Sequence, residues 1–342
     1  MNKSILIVGN FGIGALEHQF TNRLRNLNWN VDEFDIQTPV QRLKNKNNLQ
    51  KLKFLINPSP FYTDVNNKLI RFCEKKKNNV ILIFKGMEIF PETLKALKTN
   101  KNLICNYNPD HPFDFYSRGA GNQNVKNGIP HYDIYGSYSK SIADKLSLQY
   151  GVDTFVLPFG YDDNICPNSS SATNLFNFIG AYDRQRLNYL NQLHDMPLQV
   201  SGSSLWGKKI KLSKEDIIKV NSNPLYNQDY ANLCKHSLGV INFLRPQNIV
   251  EQSHNMRTFE VPGYGGLLIS ERTEEQLSFF EEGKEAIYFS SIEELRDKMS
   301  YYKERLSEIE NYKKNGAERS QKSGYSYTHR CLELSNLMKR YV

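Results

Sequence analysis

The chain has 342 residues, too long for one ordinary core and suited to two domains of about 150 residues each. With 39% hydrophobic and 23% charged residues its composition is globular, and no run of about 18 apolar residues is present to form a membrane-spanning helix. Net charge is +8, and the whole excess lies in the first half: residues 1–160 hold 21 Lys and Arg against 13 Asp and Glu, while 161–342 hold 23 against 23.

Met1-Asn2-Lys3 leads straight into a predicted strand at 4–8, so no secretory leader is expected. The turn Gly9-Asn-Phe-Gly12-Ile-Gly14 feeds a helix over about 15–27. Strands are then predicted at 31–36, 54–56, 80–84, 103–107, 134–137 and 154–157, with helices such as 66–76 and 139–150 between them. This alternation predicts a parallel sheet covered by helices on both faces. Pro158-Phe-Gly-Tyr-Asp-Asp-Asn-Ile-Cys-Pro167 and the Ser/Thr/Asn-rich stretch 168–174 interrupt it and read as a linker. The pattern restarts with strands at 175–179, 198–201, 238–243 and 266–270, and helices at 184–194, 292–311 and 329–341. The expected architecture is α/β, two doubly wound domains with a cleft between them. Ligands of such folds sit at the carboxyl ends of strands, where Gly9, Gly180, Gly202 and Asn242 fall.

Asn255-Met-Arg257-Thr258-Phe-Glu260 precedes Gly265-Gly266 and an apolar strand. Arg257 and Glu260 are three apart, so on a helix they share a face and can meet one ligand. A cation there suits a phosphate, and a carboxylate one turn on suits a ribose diol; an amphipathic helix with a solvated Arg and Glu has the same pattern. Phe178-Ile-Gly180-Ala-Tyr-Asp-Arg184-Gln-Arg186 has the form strand, glycine, loop, basic helix start, which can hold a pyrophosphate through Arg184 or Arg186. Gly12 belongs to a loop bordering a cleft; its spacing is not that of a dinucleotide fingerprint. Asn106-Tyr-Asn-Pro-Asp110-His111-Pro112 places a carboxylate and an imidazole in a proline-stiffened loop. That pair suits a general base or an acceptor-orienting role, although Asp and Pro also build turns for purely conformational reasons. Cys73, Cys105, Cys166, Cys234 and Cys331 lack paired spacing, so neither a disulfide frame nor a zinc site is expected. Walker sequences, catalytic triads and Asp-x-Asp-like clusters are missing from the sequence.

Taken together, these residues make the chain resemble the GT-B glycosyltransferases, closest to the spore-maturation-type (CgeB-like) branch of the family 4-like group. The likeness is strongest over residues 174–337. It rests on Phe178-Ile-Gly-Ala with Arg184 and Arg186, on Gly239-Val-Ile-Asn242-Phe, on Asn255-x-Arg257-Thr258-Phe-Glu260 with Gly265-Gly266, and on Thr328-His-Arg330 in the terminal helix. Lys85-Gly86, the Asp110-His111 loop and Leu157-Pro-Phe-Gly160 extend it more loosely into the first half.

The resemblance implies an acceptor-binding domain over 1–160 and a linker over 161–174. It further implies a nucleotide-sugar domain over 175–325 and a terminal helix over 326–342 that packs back toward the first domain. Donor contacts are expected from Gly12, Gly180, Arg184, Arg186, Gly202, Asn242, Asn255, Arg257, Thr258 and Glu260, with Asp110, His111 and Arg184 catalytic. Glu260 matches the second glutamate of the family's Glu-x7-Glu pattern, whereas Gln252 stands at the first, with Glu251 one residue away. The expected activity is metal-independent, retaining transfer from a UDP- or GDP-sugar to a glycan or glycolipid hydroxyl in cell-surface polysaccharide assembly. No other cofactor and no nucleic-acid partner are expected. A sugar-nucleotide epimerase on the same fold and a non-catalytic nucleotide-sugar or glycan-binding partner are the alternatives. The basic half, with Lys44, Lys46, Lys51, Lys53 and Lys75 to Lys77, predicts binding to an anionic acceptor or to the surface of an anionic membrane, although a solvated lysine-rich face has the same composition. The scattered cysteines predict a cytoplasmic protein, peripheral at the inner membrane face where the second partner applies.

Overall fold

Runs of consecutive Val, Ile, Leu and Phe bounded by Gly or Asn form strands buried on both faces, the condition of a parallel sheet between helices. A computed structural model describes residues 3–12, 14–98, 102–115, 119–169, 172–211, 213, 216–221, 223 and 225–341. Met1 and Asn2, and Ser170 and Ser171 of the expected linker, lie outside the described residues. The chain divides into two units, Met1–Pro158 with Arg330–Val342, and Phe159–His329.

In the first unit the strands are β1 (Ser4–Gly9), β2 (Asn30–Asp35), β3 (Val80–Phe84), β4 (Leu103–Asn108), β5 (Ile134–Ser137) and β6 (Asp153–Val156). They pair in parallel in the order β2-β1-β3-β4-β5-β6. Ile5 to Val8 and Val80 to Ile83 are fully buried at its centre. The order reverses between β1 and β3, so their carboxyl ends form the switch point at which such sheets bind ligands. The unit is completed by the last helix, whose Cys331, Leu334 and Met338 are buried, and Trp29 Nε1 donates to Ser335 Oγ at 2.8 Å.

The second unit repeats the plan with β7 (Phe176–Ile179), β8 (Leu198–Ser201), β9 (Lys219–Val220), β10 (Gly239–Asn242), β11 (Leu268–Glu271) and β12 (Ile287–Phe289). These are parallel in the order β12-β11-β10-β7-β8-β9. Its core gathers Phe176, Phe178, Trp206, Phe243 and Phe289 with Leu and Ile from the strands. Here the switch point lies between β7 and β10.

Two sequence expectations change. Residues 54–56 are not a strand but the last turn of a helix, Asn48–Ile56. Asn47 starts it by accepting the Gln50 N–H at 2.9 Å, a cap that outweighs a three-residue apolar run. The expected helix over 292–311 is two, Ile292–Tyr302 and Leu306–Lys322. The short strands β9 and β12 were not expected, because two or three residues carry too little periodicity to see.

Candidate functional site

In the second unit two guanidinium groups converge at the switch point. Arg186 lies in the first turn of the Arg184–Asn191 helix, whose N-cap Asp183 accepts the Arg186 N–H at 2.8 Å. Its side chain is buried and folds back over the Phe178 ring at 5.6 Å. Nη2 donates to Phe243 O at 2.9 Å and Nη1 to Ala181 O at 3.2 Å, tying the loop after β7 to the end of β10. Arg257 opens the Arg257–Gly263 helix and reaches the same spot. A Cβ built on Gly180 would lie 3.4 Å from Arg186 Nη1 and 3.4 Å from Arg257 Nη2. The glycine therefore leaves the room that both cations border.

Burial, and next the like charge of Arg257, lower the Arg186 pKa to about 10, with Asp183 opposing. The Arg257 Nε is buried and without a hydrogen-bond partner among the described residues. Two cations held close, one of them incompletely paired, make an anion site that is unfavourable until an anion arrives.

Glu260 sits one turn beyond Arg257. Burial pushes its carboxyl up, and the Arg257 guanidinium draws it back toward ionisation. Burial likewise raises Glu271, at the end of β11, to about 7, and its carboxylate accepts the Leu244 N–H at 2.5 Å.

The other predicted donor contacts divide by what their polar groups already do. Asn242 and Asn255 pair reciprocally, the Asn255 amide donating at 2.8 Å and the Asn242 amide at 3.1 Å. Asn242 also donates to Ser270 Oγ at 3.1 Å; Ser270 and Thr258 hydroxyls both donate to Gln276 Oε1 at 2.9 Å. This network fixes the segment before Arg257 against β10 and β11. Asn242 and Thr258 are buried within it, and Asn255 is partly exposed at its edge. Gly202 has φ +100°, and a Cβ there would lie 2.7 Å from Gly180 N, so its role is a close approach of two backbones. Arg184 is exposed, whereas Arg186 is buried beside Gly180. Gln252 is exposed with φ +49° and its carbonyl side-chain oxygen accepts the Glu274 N–H, whereas Glu251 is buried.

In the first unit, Lys85 follows β3 with φ +61°, and Gly86 follows it with φ +93°. Lys85 Nζ pairs with Asp110 at 2.6 Å and donates to Gly119 O. His111 is buried, with Nδ1 accepting the Asp114 N–H at 2.9 Å and Nε2 3.6 Å from the Asp114 carboxylate. Asp110 and His111 thus face different partners. Gly12 is exposed and donates its N–H to Asn10 Oδ1 at 2.9 Å. A cavity of about 770 Å³ opens at this unit's switch point, lined by Asn10, Glu17, Tyr62, Lys85, Glu88 and Asn122 among others. Burial raises both of its carboxyls, Glu88 to about 7, with Lys85 opposing.

Sequence reasoning missed Glu17, Glu88, Tyr230 and Glu271. Only Glu271 left a signal, as a carboxylate directly after an apolar strand. Among the described residues no group of three or more His, Cys, Asp and Glu gathers where it could hold a metal ion.

Residues 184–336, somewhat less than half of the chain, match the glycosyl transferase-like family model. No curated protein matches the chain in sequence. The structure is similar to sucrose-phosphate synthase from Thermosynechococcus elongatus, with a TM-score of 0.70 and 11% identity over 99% of this chain and 98% of that one. HepE from Anabaena, solved with UDP and glucose, gives 0.65 and 12% over 99% and 100%. A UDP-N-acetylglucosamine 2-epimerase gives 0.56 and 10% over 94% of each. The fold is GT-B, built from two Rossmann-like domains.

Proposed function

We propose that this chain is a glycosyltransferase that moves a sugar from a UDP- or GDP-sugar to a hydroxyl of a glycan or lipid-linked glycan in polysaccharide assembly. The observation that carries this reading is the convergence of Arg186 and Arg257 on Gly180, with Glu260 one turn further along the same helix. The family match over 184–336 covers all three charged groups. HepE, solved with UDP and glucose, supports a nucleotide-sugar donor on this fold.

The departing nucleoside diphosphate gathers negative charge on its terminal phosphate. Arg186, held by two carbonyls, and Arg257, whose Nε has no hydrogen-bond partner among the described residues, border the space in which that charge would fall. Glu260 is placed to accept from ribose hydroxyls. Neutralisation by two guanidiniums needs no divalent ion, so transfer proceeds without metal. Retention at the sugar carbon follows from the family resemblance. On the acceptor side Asp110, kept near Lys85, takes the orienting role, because His111 Nδ1 is already an acceptor within its own loop.

Thermal shift with UDP, GDP, dTDP and CMP tests the donor site: a ligand at a hundredfold excess over Kd stabilises by about 2.7 kcal/mol. One of UDP and GDP should stand out, and silence to all four would remove the reading. Activity should survive EDTA; a strict divalent requirement would overturn the metal-free part. An epimerase of this fold would convert the donor without an acceptor, so release of nucleoside diphosphate that depends on added glycan separates the two.

A further inference from the structure

We propose that the helical pair Gln37–Lys44 and Asn48–Ile56 of the first unit docks this protein on an anionic lipid bilayer. The inference goes beyond sugar transfer and does not depend on it. Not one side chain of the nine-residue Asn48–Ile56 helix is fully buried. Phe54 turns inward to meet Phe61 and Tyr62 edge-on, at 5.2 and 6.1 Å between ring centres. Leu49, Leu52, Leu55 and Ile56 turn outward, between 54% and 77% exposed, and Leu43 of the preceding helix joins them at 43%.

At 100° per residue the four outward side chains span an arc of about 120°, with Lys53 bordering one edge and Lys51 the other. That is the reverse of a helix on a water-facing surface. It matches a helix lying in the plane of a membrane, with its apolar strip among acyl chains and its lysines reaching back to headgroups. A groove of about 480 Å³, lined by Leu43, Lys53, Ile56, Pro60 and Phe61 among others, runs beside the strip and offers apolar space next to a cation.

Charge chooses the occupant. Between Ile36 and Asp64 the chain carries Arg42, Lys44, Lys46, Lys51 and Lys53 and no carboxylate. Such a density of lysine is what protein–protein interface cores avoid and what anionic lipid attracts. Among the described residues no helix is long and apolar enough to cross a membrane, so the association is interfacial.

Flotation of the full chain with vesicles of phosphatidylcholine alone, or with a third phosphatidylglycerol, tests this at about 0.1 M and 1 M salt, across which the Debye length shrinks from about 10 to 3 Å. The expected result is binding to anionic vesicles that falls with salt, and a loss of about tenfold or more for Leu52→Glu with Ile56→Glu. These side chains are exposed, so the variant should keep the parent melting temperature. Leu52→Trp supplies a second reading: its emission should shift to the blue with anionic vesicles, against the buried Trp29 and Trp206. No binding to either vesicle overturns the proposal. So does equal binding to both, or a dimer in solution that Leu52→Glu dissolves, since the strip would then cover a second copy.

Discussion

Replacing Arg257 with alanine should separate stability from binding, in opposite directions. Arg186 Nη1 and Arg257 Nη2 each lie 3.4 Å from the same point beside Gly180, so they are at most twice that distance apart. Two unit charges so placed repel by about 2 kcal/mol at an effective dielectric constant of 20, and the net gain on removing Arg257 falls to about 1 kcal/mol once its attraction for the Glu260 carboxyl is set against that repulsion. Without ligand the variant should therefore melt about 2–4 °C higher. With ligand it loses a charge-assisted phosphate contact of about 1.5–3 kcal/mol, so nucleotide affinity should drop by about 10- to 150-fold. Differential scanning fluorimetry and titration calorimetry with UDP and GDP read the two halves. A variant that melts lower and binds nucleotide unchanged would show that Arg257 is a structural cation, and the anion site would have to be abandoned.

Glu260→Gln should weaken nucleotide binding, because a neutral acceptor holds a hydroxyl about half as strongly as a charged one. The pKa of Glu260 is raised, so parent affinity should fall as acid protonates it while the variant stays flat; parallel pH profiles would remove Glu260 from the site. Burial raises Glu88 from 4.5 to about 7, so the folded state holds its proton longer than the unfolded chain. Its contribution to stability is full below pH 4.5 and declines as pH rises through about 7, by about 3 kcal/mol; Glu88→Gln should flatten that part of the profile in denaturant titrations. Gly202→Ala sets a side chain at φ +100° and 2.7 Å from Gly180 N, and should destabilise by about 2 kcal/mol or more. An unchanged melting temperature would refute the close approach.

The sheets were legible in the sequence because their strands are apolar runs ended by Gly9, Gly180, Gly202 and Asn242, and the switch points follow from where those runs stop. Arg186 was legible for the same reason, standing one loop beyond β7, and Arg257 and Glu260 stood out because a spacing of three puts them on one helix face. Which arginine turns inward was not, since that depends on Phe178 and the Phe243 carbonyl, contacts made from another strand. Nor was the reciprocal pairing of the Asn242 and Asn255 amides across thirteen residues. The outward face of residues 48–56 was hidden because Phe54-Leu55-Ile56 reads as a core strand in isolation, and only the Asn47 cap makes it a helix.

The first unit is written at both ends of the chain, and this has a consequence for biosynthesis. Trp29 waits for a partner 306 residues away, so Cys331, Leu334 and Met338 reach their places only after the second unit has been synthesised. Closing so long a segment costs only about 2 kcal/mol more than closing one a tenth its length, but it sets an order of events. The second unit, contiguous in sequence, can finish folding on its own, whereas a nascent chain ending near Pro158 keeps the apolar seat of the last helix open to water. That seat is where a chaperone would be needed longest, and where a lesion in the last helix would be felt at Trp29, some three hundred residues earlier.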